Sequence, residues 1–138
     1  MILWNFRKIK KMRFCLIALL LTSNTALAQI WSYVITSNAR TVYFIDPASV
    51  TKQDGVATYT QLLNYPDGYD SKNPEIHSIK HTKQIDCLNN ISRTLTMIAY
   101  NKEDAKGDIQ TLSVGQETRW LKINQNSILS LYKNEVCV

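Results

Sequence analysis

From residue 29 onward, polar and apolar positions mostly alternate, which is the period of a half-buried β-strand. Ile30 to Thr36 and Thr41-Val42-Tyr43-Phe44-Ile45 are rich in aromatic and β-branched residues and read as two strands. Asp46-Pro47 is expected to end the second, because proline cannot donate to a ladder. Asp54-Gly55 is a two-residue hairpin signal. It joins a short strand near Val50 to a longer one over Val56 to Tyr65, where Ala57, Tyr59, Leu63 and Tyr65 share a face with Gln61 between them. Pro66, Asp67, Gly68, Asn73 and Pro74 mark one long loop. Ile76 to Asp86 follows as strand, with Ile79, Ile85 and Cys87 on one face. Ile91 to Tyr100 sets Ile91, Leu95 and Met97 against Ser92, Thr94 and Thr96, which predicts a buried apolar face and a wet polar one. Lys102 to Asp108 reads as a charged turn closed by Gly107, and Ile109–Val114 and Thr118–Ile123 as the last strands.

The period changes near the C-terminus. Asn126 or Ser127 can cap a helix over Ser127 to Val136, in which Ile128, Leu131, Tyr132 and Val136 recur at helical spacing. A helix of about ten residues is marginal alone and must pack on the sheet. The expected fold is α+β, mainly β: an antiparallel sheet of about six strands with one C-terminal helix across a face.

The first 28 residues follow a different plan. Arg7, Lys8, Lys10, Lys11 and Arg13 precede an unbroken apolar run, Phe14 to Leu21, and Ala26-Leu27-Ala28 supplies small residues for cleavage. This is the layout of a secretory signal peptide, whether translation starts at Met1 or Met12. The apolar run is far shorter than the roughly 20 residues of a transmembrane helix. Cys15 stands at the start of that run rather than after it, so no lipid anchor is expected. The chain therefore divides into a leader, 1–28, and one mature domain, 29–138, that is exported to the periplasm or beyond and has no transmembrane segment.

Subtracting the leader changes the charge and the cysteine count. The precursor carries 16 basic residues against 11 acids, a net +5. Five of the bases lie in the leader and none of the acids do, so the mature domain is formally neutral. A nucleic-acid-binding surface needs a net basic patch, and the global argument for one disappears. Cys15 leaves with the leader, and Cys87 and Cys137 remain. Two cysteines in an exported domain of this size most often pair. Closing a loop of about 50 residues contributes about 4 kcal/mol in the chain-entropy model. Free thiols or a metal pair are the other readings, and neither cysteine has a Cys or His neighbour at zinc-ligand spacing.

Candidate chemistry is sparse. His77 and His81 are four residues apart, which on a strand is roughly 13 Å, too far for one metal ion. They are expected to be half-exposed strand residues, so no metal and no cofactor is assigned. His77, Lys80, His81 and Lys83, with Arg93 on the next strand, form a basic cluster that could dock an acidic partner or a sulfated sugar, or simply be a solvated strand edge. Trp31 and Trp120 lie in strand candidates and read as core or sheet packing. Tyr65 and Tyr69 flank the long loop and are better placed for a partner. There is no G-x-S-x-G, no metal-binding helical histidine pair, no phosphate loop and no recognisable carboxylate pair, so no catalytic residue is assigned and an enzyme is not expected. Asn90-Ile91-Ser92 matches a glycosylation sequon, a cheap match.

Trp31, Tyr43-Phe44-Ile45-Asp46 with Ser49-Val50, Leu62-Leu63-Asn64-Tyr65, Ser71, Ile85-Asp86-Cys87, Arg93, Trp120, Ile123, Ser127 and Val136-Cys137 occur in an order that resembles the surface-adhesin protein E family of small exported bacterial domains. One departure is local: Gln125-Asn126 precedes Ser127, where the family has a proline and a small residue. The resemblance implies a sheet with a C-terminal helix and non-enzymatic binding of host matrix or plasma proteins. The adhesin that names the family is lipid-anchored and surface-displayed, whereas this chain has no lipidation cysteine, so a periplasmic accessory role with an envelope partner is the second reading. A small-ligand (haem) carrier is a third. Tyr65, Tyr69, Lys80, His81 and Lys83 are the candidate partner-binding residues, and the oligomeric state is left open.

Overall fold

The computed structural model describes residues 29–112 and 118–138; the leader therefore lies outside the described residues. Seven strands and one helix follow in chain order: β1 (Ser32–Thr36), β2 (Val42–Gln53), β3 (Val56–Asn64), β4 (Ser78–Asp86), β5 (Ile91–Lys102), β6 (Lys106–Gln110), β7 (Leu121–Lys122) and α1 (Ile128–Val136). The first six form an antiparallel meander in sequence order, and β7 pairs with the start of β5. The α+β reading, mainly β with one C-terminal helix, is what the structure shows.

Of the four register shifts in the sheet, two change the expected reading. Asp46-Pro47 does not end β2, which continues to Gln53. The register jumps from Asp46↔Thr60 to Thr51↔Thr58, so Pro47 sits in a bulge where no ladder N–H is required. Side chains rebuild the missing bonds. The Asp46 carboxylate accepts from Ala48 N–H (3.1 Å), and the Ser49 hydroxyl donates to Asp46 C=O (2.6 Å) while accepting from Thr60 N–H (2.8 Å).

A second bulge falls in β5, where Lys83↔Thr94 is followed by Thr82↔Thr96 and Leu95 is the extra residue. Alternation flips there, because one inserted residue moves every later side chain to the other face. Ser92 and Thr94 are consequently buried on the same face as Ile85, and the expected apolar face of Ile91, Leu95 and Met97 is split between the two sides. The expected charged turn also shrinks. β5 runs to Lys102 and β6 starts at Lys106, leaving Glu103 to Ala105, in which Asp104 and Ala105 take positive φ. Of the last two expected strands, Thr118–Ile123 contracts to the two residues of β7. The first pairs at Ile109 and Gln110, where β6 ends, and its residues 113 and 114 lie outside the described set.

One face of the sheet carries the core. Ile45, Ala57, Tyr59 and Ile85 meet Ile123, Tyr132 and Val136. In α1, Ser127 is the N-cap and accepts from Ser130 N–H at 3.2 Å. The buried stripe is Tyr132 and Val136, with Ile128 and Leu129 partly buried. Leu131, expected in that stripe, is 36% exposed. Positions 128, 132 and 136 lie four apart on one face, and 131 falls to its side.

Beyond the helix the same face is covered by the loop between β3 and β4, where Tyr65 and Tyr69 pack with Ile76, Ile79 and Ala99. Gly68 makes that cover possible: its φ is +86°, and a Cβ there would lie 2.6 Å from Pro74 O.

The Cys87–Cys137 disulfide forms, with Cα atoms 5.7 Å apart. It ties the C-cap of α1 to the β4–β5 turn. Substituting both cysteines by serine should lower unfolding free energy by about 4 kcal/mol in urea denaturation. Reductant should have the same effect on the unsubstituted protein and none on the double variant.

Candidate functional site

Among the described residues the helix and the loop cover one face of the sheet, and the ladder register defines what the opposite, open face presents. One cross-strand row is Tyr33, Phe44, Leu62, Lys80 and Ile98. Tyr33 and Phe44 meet edge to face at 6.3 Å. Leu62 is fully buried within the row, whereas Tyr33 on the outer strand is 63% exposed. Asp46, Thr60, Thr82 and Thr96 form the next row. Thr51, Thr58, Gln84 and Arg93 form another, and there Gln84 Nε2 donates to Thr58 Oγ1 (3.1 Å) and Arg93 Nε donates to Gln84 Oε1 (2.8 Å). Trp120 closes that row, with the Arg93 guanidinium 4.5 Å above its ring. At the far end the β5–β6 turn curls onto the same face, where Asn64 and Asp104 exchange two hydrogen bonds of 2.8 and 2.9 Å.

The basic cluster does not act as one surface. β4 is a central strand between β3 and β5, so its lysines do not guard an edge. Alternation sends Lys80 to the open face and His81 and Lys83 to the helix-covered one. His81 is 8% exposed, a correction to its expected half-exposure, and its Nδ1 lies 3.4 Å from Gln61 Nε2. Burial, with the neighbouring Lys83 charge adding to it, pushes the His81 pKa down to about 4. Lys83 donates to Thr94 Oγ1 at 2.8 Å, and burial pulls its pKa below the usual lysine value. His77 lies just before β4, half-buried, with Nδ1 3.0 Å from Tyr65 C=O. Among the described residues no group of three or more His, Cys, Asp or Glu is arranged to hold a metal ion.

Tyr65 and Tyr69 contact each other edge to face at 5.1 Å on the loop-covered side. Burial raises the Tyr65 pKa well above the ordinary phenol range, with the neighbouring Tyr43 and Tyr69 adding to the rise. Trp31 is half-buried just ahead of β1. Trp120 lies just ahead of β7 and packs on the sheet through Arg93 of β5, on the open face rather than in the core cluster. Sequence reading singled out Arg93 and Trp120 separately, but their meeting depends on a β5–β7 pairing that joins residues about 30 apart. The sequon asparagine, Asn90, spends its amide on Ile123 C=O (3.2 Å) and its oxygen on Lys133 Nζ (2.9 Å).

The family model for surface-adhesin protein E matches residues 31–138. The chain belongs to the surface-adhesin protein E family. Solved structures of Haemophilus influenzae protein E share its fold. Crystal form II aligns at TM-score 0.59 and 14% identity over 78% of this chain and 86% of that one. Protein E from a non-typeable strain aligns at TM-score 0.56 and 15% identity over 76% and 74%. At such identities the likeness is one of fold. No curated protein matches the chain.

The buried histidine has a pH consequence. The unfolded imidazole binds its proton near pH 6.5 and the folded one near 4, so within that window the unfolded chain holds more protons. Stability should therefore fall as pH drops from 6.5 to 4, by roughly 3 kcal/mol in total at about 1.4 kcal/mol per unit. Urea titrations at a series of pH values should show this loss, and His81→Gln should flatten it. Lys83→Met removes a partly desolvated charge. It should stabilise the domain by on the order of 1 kcal/mol in the same assay and raise the His81 pKa measured by NMR.

Proposed function

We propose that this is an exported, non-enzymatic protein-binding domain of the adhesin type, with the helix-free sheet face as its docking surface. The observation that carries the reading is the row on the helix-free face in which Tyr33 is exposed and Phe44, Lys80 and Ile98 are partly exposed around the buried Leu62, on a chain of the adhesin E family. An aromatic-containing apolar strip with a polar surround has the composition of a protein interface core and its rim. The threonine row beside the strip supplies hydroxyls that donate or accept as a partner requires.

Export is supported by the basic, apolar and small-residue order of residues 1–28 and by the Cys87–Cys137 bond, since disulfides persist in oxidising compartments. The proposed partner is a host matrix or plasma protein, or alternatively a protein of the bacterial envelope. Of the five candidate partner residues, Lys80 is the one on the open face. In this reading Tyr65, Tyr69, His81 and Lys83 hold the opposite face together.

Two measurements test the proposal. Tyr33→Ala with Lys80→Glu should weaken binding to immobilised matrix proteins by roughly tenfold or more, as truncation at an interface anchor does, while leaving urea stability nearly unchanged. Unaltered binding would remove the open face from the interface. Protease treatment of intact and lysed cells separates the locations. Digestion in both supports surface display, and protection in intact cells supports the envelope partner and sinks the host-binding reading.

A further inference from the structure

The polar end of the open face is a formed site. Thr51, Gln53, Asp54, Val56, Thr58, Gln84, Arg93 and Trp120 enclose a cleft of about 290 Å³, close to the lower bound for small-molecule sites. Arg93 is fixed there twice, by its Nε bond to Gln84 Oε1 and by its ring contact with Trp120. Gln84 is fixed in turn by donating to Thr58 Oγ1. Among the described residues, Arg93 is contacted at its Nε and on its flat surface, and the two terminal nitrogens remain for a ligand in the proposed site. Those nitrogens are the half of the guanidinium fork that grips a carboxylate through two parallel hydrogen bonds. Among the described residues the ion pair is Arg40–Asp67, at 3.5 Å, and no carboxylate pairs with Arg93.

The rest of the lining narrows the ligand. Thr51 and Thr58 offer hydroxyls, Gln53 and Gln84 offer amides, and Asp54 offers a carboxylate that only accepts. That set matches a ring bearing several hydroxyl groups. Asp54 also disfavours a run of acidic side chains, because a second carboxylate near it is repelled, whereas a sugar hydroxyl donates to it.

We propose that this cleft binds one acidic sugar residue, a pyranose carrying a carboxylate, with Arg93 receiving the carboxylate and Asp54, Thr58 and Gln84 reading the hydroxyls. The inference rests on the open face being the binding surface and gives the ligand chemistry of its polar end. It is separable from the protein-docking test, which turns on Tyr33 and Lys80 and not on this cleft.

The purified, isotope-labelled protein can be titrated by NMR with glucuronic acid and N-acetylneuraminic acid, with glucose and acetate as controls. The acidic sugars should move the signals of Thr58, Gln84, Arg93 and the Trp120 indole saturably. Glucose and acetate should bind roughly tenfold more weakly or worse, since each supplies only one half of the recognition. Arg93→Lys keeps the charge but loses the fork, and should weaken the acidic sugars by about tenfold. Asp54→Asn suits the positive φ of 52° at that turn and therefore keeps the fold, and it should weaken the sugars without affecting acetate. Tyr33→Ala should change nothing here. No saturable shift with either acidic sugar overturns the proposal, as does equal binding by the Arg93→Lys and Asp54→Asn variants. Tighter binding of a glutamate-rich peptide at the same signals overturns the sugar assignment in favour of an acidic peptide.

Discussion

The architecture depends on a nine-residue helix being held against one face of a meander. A helix that short is not stable in water by itself. Tyr132, Val136 and Cys137 are central to holding it. The Tyr132 ring stacks on Tyr59 with centroids 5.4 Å apart, and its hydroxyl donates to Phe44 C=O at 2.9 Å. Val136 is fully buried one turn later. Cys137 then locks the C-cap to the β4–β5 turn. Burying side chains of this size contributes roughly 1.5–3 kcal/mol each, and the covalent bond limits how far the last turn can separate from the sheet.

This clamp decides which face is free. Once α1 and the Tyr65–Ile76 segment cover one side, polar residues beneath them are removed from water, and their chemistry becomes a matter of stability. His81 and Lys83 are the clearest cases: each would be a plausible contact on a solvated strand, and each instead carries a burial-lowered pKa. The opposite side keeps an apolar row at its middle and a hydrogen-bonded Thr58–Gln84–Arg93 relay at one end. One face thus holds the fold together, and the other carries the residues of the proposed docking surface.

Much of the fold was legible along the chain because local rules wrote it. The Asp54-Gly55 hairpin, the aromatic strand around Tyr43 and the Ser127 cap all appear where their residues point. Two of the misreadings share a cause. Pro47 and Leu95 both sit at bulges, and a bulge is set by what the partner strand offers. Ser49 supplies the hydroxyl that Thr60 N–H needs, eleven residues away in sequence. No pattern confined to one strand contains that information. The same limit hid the Arg93–Trp120 contact, which requires β7 to pair with β5 at Ile91↔Lys122 and Ser92↔Leu121.

The sequence alone determined the strand-rich pattern, the helix at the end and the family pattern, and pointed to the cysteine pairing that the structure shows. Each of these rests on spacing between near neighbours or on residues rare enough to have few alternatives. The tertiary structure alone decided which side of each strand faces the helix, how Lys80 parts from His81 and Lys83, and where Arg93 finds its ring. Side-chain direction in a sheet has a period of two, so one inserted residue reverses it for all that follow. Where that residue is inserted is settled only when the strands meet.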